Sequence, residues 1–172
     1  MNLLNYLPIV NDFPKPGIQF RDILPLLADP EAFSYAIEQL HTLSSFCEYD
    51  YVLGIESRGF IFATAIAQAS KKGLILARKP NKTPKKVHSE RYGLEYGSDS
   101  LEIQQGILPN HARVLLIDDV LATGGTLMAA GNLIRKAGAS VAGALVLLEI
   151  SQLRGRNIFL EKSIPLNSLI EV

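Results

Sequence analysis

The chain has 172 residues, a length that suits one globular domain with a sizeable buried core. Hydrophobic residues make up 48% of it and 17 basic residues balance 17 acidic ones, so bulk charge indicates neither nucleic-acid nor membrane binding. The single cysteine, Cys47, excludes an internal disulfide and a Cys/His metal set. The N-terminus lacks the features of a signal peptide, which favours a cytoplasmic protein.

The first elements predicted along the chain are a loop and a helix. Residues 13–23, FPKPGIQFRDI, contain two prolines and a glycine, which is typical of an extended loop. Asp29 then supplies a helix N-cap, and Pro30 suits the first helical position. Apolar residues recur at helical spacing through residues 31–46, so we predict an amphipathic helix there.

From residue 51 onward, short apolar strands alternate with helices. This alternation is typical of an α/β fold whose central, mainly parallel sheet is flanked by helices. Ligands bind such sheets beyond the carboxyl ends of the strands. We predict strands at 51–55, 73–77, 112–118 and 140–150, helices at 60–72 and 125–138, an irregular β-hairpin at 89–106, and a late edge strand near the C-terminus.

The segment at 114–126, VLLIDDVLATGGT, places two carboxylates beside a glycine-rich turn. The loop consists of Ala122, Thr123, Gly124, Gly125 and Thr126 and lies where a strand leads into a helix, so its free backbone N–H groups and the helix dipole favour a phosphate.

The two carboxylates of that segment repel a phosphate and therefore indicate a second ligand group. Asp118 and Asp119 can accept hydrogen bonds from sugar hydroxyls. One ligand satisfies both halves: a ribose with a phosphate at one end. The alternative is a tight turn with helix-capping acids, which needs one acid rather than two acids and a Gly-Gly pair.

A basic run follows the predicted strand at 73–77. Residues 78–86 hold five basic side chains and no acid. Such a run is usually a solvated loop. Its place at the ligand end of the sheet favours an anion site instead.

The segment VLLIDDVLATGGT resembles the signature for 5-phosphoribosyl 1-diphosphate (PRPP) in the type I phosphoribosyltransferases. Three further segments, FPKPGIQFRDI, GIESRGFIFATAIA and RYGLEYGSDSLEIQ, resemble the base-binding segment, the G-I-[DE]-S-R-G-F segment and the mobile loop of the adenine-specific members. All four occur in the family's order over nearly the whole chain. The resemblance implies one domain, 1–172, with a hood at about 1–30 and a mobile loop at about 78–105.

The resemblance also implies a reaction. Adenine N9 attacks C1 of PRPP, diphosphate leaves, and AMP forms through an oxocarbenium-like transition state, as a step of purine salvage. The implied cofactor is Mg²⁺, held mainly by substrate oxygens and water, with few direct protein ligands. The family is usually homodimeric, and we expect no nucleic-acid or membrane partner.

Roles for single residues follow from the same resemblance. Glu95, in LEYG, matches the loop glutamate that acts as acid/base, and loop closure would raise its pKa; from the residues alone it is a surface glutamate of a hairpin. PRPP or AMP would be bound by Asp118, Asp119, Ala122, Thr123, Gly124, Gly125 and Thr126. Diphosphate would contact Arg58, Arg78, Lys79 and Lys82. Adenine would contact Ile18, Phe20 and Arg21.

Three alternatives stay open at this point. The first is the same fold acting on hypoxanthine, guanine or xanthine, although FPKPGIQFRDI does not resemble those enzymes. The second is a regulator that senses PRPP and binds DNA or RNA. The third is a protein without catalysis, against which Asp118, Asp119, Arg58 and Glu95 argue, since a degenerate member need not keep them.

Overall fold

The computed structural model describes residues 1–94 and 97–172, and its internal contacts divide it into two compact units, Met1–Gln39 and Leu40–Val172. Glu95 and Tyr96 lie outside the described residues.

The N-terminal unit contains a small antiparallel β-pair. Strand β1 (Ile9–Asn11) pairs with β2 (Gln19–Arg21), and the short helix α1 (Leu24–Ala28) follows. The prediction of a continuous loop at 13–23 is therefore wrong over three residues. The prolines bend the chain, and the Asp12 carboxylate accepts a hydrogen bond from the Gly17 N–H at 2.7 Å, which brings β2 back against β1.

Helix α2 (Pro30–Ser44) confirms the predicted amphipathic helix. Asp29 caps it, because its Oδ1 accepts hydrogen bonds from the N–H groups of Glu31 and Ala32 at 3.1 and 2.8 Å. Pro30 stands first, where a missing N–H costs nothing.

The second unit is built on a parallel sheet of the five strands β3 (Tyr51–Ile55), β4 (Gly73–Ala77), β7 (Arg113–Leu121), β8 (Ser140–Glu149) and β9 (Leu166–Glu171). Their order in the sheet is β4-β3-β7-β8-β9. Its central strands are continuous apolar runs, which is expected where helices cover both faces. The predicted α/β fold is confirmed, and the predicted late edge strand is β9.

Three helices pack around this sheet. They are α3 (Gly59–Ser70), α4 (Gly125–Lys136) and α5 (Arg156–Glu161). Fully buried side chains, among them Phe62 of α3 and Phe159 of α5, form the core with the strands. Among the described helices, none is long and apolar enough to cross a membrane.

The predicted hairpin is confirmed as a separate antiparallel pair, β5 (Val87–Leu94) and β6 (Gly97–Gln104), which begins two residues earlier than expected. Helix α4 contacts strand β5 of this hairpin. Glu90 accepts a hydrogen bond from Asn132 Nδ2 at 2.8 Å and forms an ion pair with Lys136 at 2.5 Å.

One boundary matters for the site. Strand β7 continues to Leu121 instead of ending at residue 118, because it stays paired with β8 at Asp118↔Val146 and Leu121↔Glu149. The two aspartates therefore lie within the strand, on rigid backbone, and not in the turn that follows it.

Candidate active site

Three of the predicted ligand-binding segments meet at one edge of the sheet. Strands β4, β3 and β7 are neighbours and parallel, so the turn after Ile55, the segment after Ala77 and the loop after Leu121 all leave the carboxyl edge. This is where open α/β sheets bind ligands.

The glycine-rich loop, residues 122–126, is called the phosphate loop after the ligand that its sequence predicts. Gly124 has φ +86°, a conformation that favours glycine, and it caps α4 without a side chain. The first N–H groups of α4 are therefore left to face a ligand. A Cβ on Gly124 would lie 2.9 Å from the carbonyl oxygen of Gly155, so the loop is also tightly packed from behind.

The two aspartates differ in their surroundings. Asp119 is almost fully buried, and Arg58 Nε lies 2.8 Å from its Oδ2. Asp118 Oδ1 accepts the Asp119 N–H at 2.9 Å, and Gly59 packs so closely that a Cβ there would lie 2.7 Å from that oxygen.

This crowding affects the charge of the pair. Burial, and then the charge of Asp119, raise the pKa of Asp118 well above its ordinary value. Burial also raises the pKa of Asp119, and the cation of Arg58 opposes that shift. A ligand that donates hydroxyl hydrogens to these carboxylates would relieve the cost of ionising both.

Glu56, in the turn after β3, contacts the basic run that follows β4. Its Oε2 accepts the backbone N–H of Lys79 at 2.7 Å and lies 3.8 Å from Arg78 Nε. Arg78 Nη1 in turn donates to the carbonyl of Lys82 at 2.6 Å. In this arrangement Arg78 holds the shape of its own loop. The peptide bond Glu56–Ser57 is cis, and Asn81 has φ +64°, which asparagine tolerates.

Lys79 contacts the hairpin. Its ammonium forms an ion pair with Asp99, donates to Tyr92 Oη at 2.8 Å, and lies 5.4 Å from the centre of that ring. Burial works against both charges, but the hydrogen bonds from Lys79 and neighbouring donors lower the pKa of Asp99, and those to Asp99 and Tyr92 raise the pKa of Lys79. One candidate diphosphate ligand is thus tied to the predicted mobile loop.

The adenine candidates lie in the N-terminal unit. Phe20 pairs with Val10 across the small sheet, and its ring meets that of Phe13 edge-on, with centroids 5.1 Å apart. Arg21 Nη1 donates to the carbonyl of Leu7 at 2.9 Å. Ile18 is 43% exposed. The catalytic candidate Glu95 falls outside the described residues, so its role stays a prediction.

Sequence reasoning missed the support beneath the phosphate loop. Glu149, the last residue of β8, is buried and paired with Arg156 at the start of α5. Gly155, beside it, packs on the loop backbone. The signal in the sequence was an acid that ends a continuous apolar strand, followed within seven residues by Gly-Arg.

Known proteins resemble this chain over most of its length. The model of the phosphoribosyl transferase domain matches residues 36–168. The paired aspartates and the Thr-Gly loop described above lie within that matched range. Two curated relatives identify a narrower group within the family. The adenine phosphoribosyltransferase of Polynucleobacter asymbioticus is 64% identical over 155 residues, which cover 90% of each chain. That of Polynucleobacter necessarius subsp. necessarius is 59% identical over 99% of each chain.

Solved structures agree. The adenine phosphoribosyltransferase of Thermoanaerobacter pseudethanolicus matches with a TM-score of 0.95 and 38% identity, covering 99% of this chain and 98% of that one. The APRTase of Giardia lamblia, solved with 9-deazaadenine, matches with a TM-score of 0.93 and 35% identity, covering 99% and 96%. The chain therefore belongs to the phosphoribosyltransferase family and, within it, to the adenine phosphoribosyltransferases.

Proposed function

We propose that this chain transfers the 5-phosphoribosyl group of PRPP to adenine, forming AMP and diphosphate in purine salvage. The observation that carries the proposal is the pair Asp118 and Asp119 on rigid strand backbone, directly before a glycine loop that opens a helix. The names of the relatives at 64% and 59% identity support adenine as the base.

The sugar end of PRPP fits this edge of the sheet. Asp118 and Asp119 accept hydrogen bonds from the two ribose hydroxyls, and the backbone of the loop 122–126 donates to the 5-phosphate. The hydroxyls of Thr123 and Thr126 add two donors. Because both anchors stand on fixed elements, the C1 atom is held in place for attack, which removes much of the entropic barrier.

The reaction breaks the bond from C1 to diphosphate oxygen and forms the bond from adenine N9 to C1, while N9 loses its proton. Charge builds up on the leaving diphosphate, so cations placed beside it lower the barrier. We assign this role to Arg58, Arg78, Lys79 and Lys82. Arg58 and Lys79 would exchange their present carboxylate partners, Asp119 and Asp99, for diphosphate oxygens.

Mg²⁺ would neutralise part of the diphosphate charge when bound. Within residues 1–94 and 97–172, no group of three or more His, Cys, Asp and Glu side chains is arranged to hold a metal ion. Mg²⁺ is commonly held by substrate phosphates and only one or two carboxylates. Asp118 and Asp119 are carboxylates placed beside the sugar of PRPP, so they would fit a Mg²⁺ that is already bound to oxygens of PRPP.

Two further parts of the proposal rest on sequence resemblance. Glu95 moves the proton of adenine when the loop closes, and closure excludes water from the oxocarbenium-like centre. Ile18, Phe20 and Arg21 hold the base, with the ring of Phe20 as an apolar surface.

We also propose a cytoplasmic homodimer. A groove of about 280 Å³ beside the edge strand β4 is lined by Leu74, Leu76 and Ile107, which are between 36% and 42% exposed. A second copy that covers this apolar edge would remove it from water. Sedimentation equilibrium at micromolar concentration tests this, and a monomer at all concentrations would contradict it.

The decisive experiment measures AMP formation from labelled adenine, PRPP and Mg²⁺, with hypoxanthine, guanine, xanthine and uracil as rival bases, for wild type and Glu95→Ala. Turnover of adenine alone, largely lost in the variant, supports both the activity and the role of Glu95. Turnover that the variant retains removes Glu95 from the chemistry. PRPP binding without turnover of any base would instead favour a PRPP-sensing regulator.

A further inference from the structure

A backbone-on-backbone contact supports the phosphate loop from behind. Gly155 is buried, and a Cβ on it would lie 2.2 Å from the Ala122 carbonyl oxygen and 3.0 Å from the Gly124 nitrogen. In the reverse direction, a Cβ on Gly124 would lie 2.9 Å from the Gly155 carbonyl oxygen. With no side chain between them, the position of residue 155 fixes the position of the loop.

Arg156 fixes residue 155. Its Nε donates to Glu149 Oε1 at 3.0 Å, and its Nη2 forms an ion pair with Glu149 Oε2. Its Nη1 donates to the Leu166 carbonyl at 3.0 Å, and its Nη2 donates to Ser168 Oγ at 2.9 Å. One guanidinium therefore ties the start of α5 to strands β8 and β9 together.

Glu149 connects this anchor to the strand that carries the site. It is 4% exposed and is the β8 partner of Leu121, the residue immediately before the loop. The next residue, Ile150, donates its N–H to the Leu121 carbonyl at 2.9 Å. The loop is thus held at its entry by β8 and from behind by α5, and both supports meet at one carboxylate.

Stability alone is a weak reason for this arrangement. A buried ion pair is often no more stabilising than well-packed apolar side chains of the same volume. What the pair does supply is direction, because the planar fork of arginine matches a carboxylate in only a few orientations. An apolar pair would fill the space without fixing where Gly155 lies.

We propose that Arg156 and Glu149 are positioning residues for the 5-phosphate: they press Gly155 against residues 122–124, so that the loop's N–H groups already point at the phosphate before it binds. The proposal rests on the proposed function for the identity of its ligand, a sugar 5-phosphate. It predicts that loss of the fork weakens phosphate binding and leaves the adenine subsite intact.

The test uses the full-length protein and three variants. The double variant Arg156→Met with Glu149→Leu replaces the pair by apolar groups of similar volume and leaves no buried charge unpaired. Arg156→Lys keeps the charge and loses the fork. Arg113→Met is the matched control, since Arg113 forms the same kind of ion pairs, with Glu48 and Asp50, at the opposite edge of the sheet.

Two readouts separate positioning from folding. Calorimetry measures the Kd of ribose 5-phosphate, which needs no turnover, and steady-state kinetics measures KM for PRPP, KM for adenine and kcat. We expect the double variant to weaken ribose 5-phosphate binding and raise KM for PRPP about tenfold or more, with KM for adenine and kcat within about twofold. Arg156→Lys should fall between it and the wild type, and Arg113→Met should match the wild type.

The outcomes that would overturn the proposal are distinct. A folded double variant with wild-type affinity for ribose 5-phosphate overturns it, and so does a wild type that does not bind ribose 5-phosphate. If the double variant does not fold, as judged by circular dichroism, the affinity of Arg156→Lys decides in the same way. A wild type that binds ribose 5-phosphate but forms no AMP refutes the proposed function and leaves this inference to be decided by binding alone.

Discussion

Two arginine clusters stand at opposite edges of the same sheet and do different things. Arg156 pairs with Glu149, whose side chain is 5% exposed, at the carboxyl edge. Arg113, at the start of β7, pairs with Glu48 and Asp50, whose side chains are 88% and 40% exposed. The chemistry of the two clusters is alike. Burial fixes the first cluster in place behind the glycine-rich loop, whereas water screens the charges of the second.

The volume of the surface grooves does not indicate which edge of the sheet carries the proposed ligand site. A groove of about 670 Å³ lies at the amino edge, lined by polar side chains such as His41, Ser70 and Arg113. The phosphate loop at the other edge is far more tightly packed. What marks the proposed ligand edge is a glycine loop packed backbone against backbone and a pair of buried carboxylates, whose raised pKa values are typical of functional sites.

The largest effect should come from the carboxylate pair itself. We expect Asp119→Asn to lower kcat/KM for PRPP about 10- to 100-fold, because the ribose hydroxyl would then donate to a neutral amide oxygen instead of a carboxylate, and Arg58 would lose its ion-pair partner. Steady-state kinetics measures this. The matched control at the amino edge is Asp50→Asn, which should change kcat/KM less than about twofold. If kcat/KM fell equally in the two variants, the prediction that the two edges differ in function would be wrong.

The next effect tests the packing of the loop. We expect Gly124→Ala to destabilise the fold by about 2 to 4 kcal/mol and to raise KM for PRPP, because φ is +86° and the new Cβ meets the Gly155 carbonyl. Gly106→Ala is the control: φ is +71°, but nothing lies within 4 Å of its Cβ. It should cost about 1 kcal/mol, with KM unchanged. Urea unfolding and kinetics compare the two, and equal costs would mean that the contact with α5 is irrelevant.

The sequence predicted much of the fold around the proposed site because local patterns encode it. Apolar runs and helix signals placed β3, β4, β8 and most of β7, and Thr-Gly-Gly-Thr placed the glycine turn that opens α4, whose phosphate-binding role stays a prediction. The prediction that β7 ends at residue 118 was wrong because the polar Asp119 is typical of a turn, whereas pairing with β8 at Asp118, Val120 and Leu121 continues the strand.

The support behind the loop was missed for another reason. The contact of Gly155 with Ala122 joins residues that are distant in the chain, and no local pattern reports it. Glu149 and Arg156 are close in the chain, but their pairing depends on the turn between β8 and α5, which no periodic pattern encodes. Likewise, the basic run of 78–86 predicted anion binding but not that Arg78 holds its own loop through Lys82.

The two edges should also respond to pH with opposite sign. Burial raises the pKa of Asp118 above its ordinary 3.8, so the folded state binds more protons than the unfolded one, and this group lowers stability as pH rises from 3.8 through the raised pKa. Asp118→Asn should remove that loss, which amounts to about 1.4 kcal/mol for each pH unit that separates the folded and unfolded pKa values. Denaturant unfolding at several pH values measures it. A variant that is less stable than wild type at neutral pH would contradict the assignment.

The smallest effect is expected for Arg113→Met. Hydrogen bonds from Arg113 hold the pKa of Asp50 well below its ordinary 3.8, so this pair stabilises the fold above pH 3.8, and its contribution is lost as pH falls through the lowered pKa. Because Arg113 is 44% exposed, the melting temperature at pH 7 should fall by less than about 4 °C, with kcat and both KM values unchanged. Thermal unfolding at pH 7 and pH 3 checks this. A loss of PRPP affinity would show that the amino edge communicates with the phosphate loop, and that burial is not what separates the two clusters.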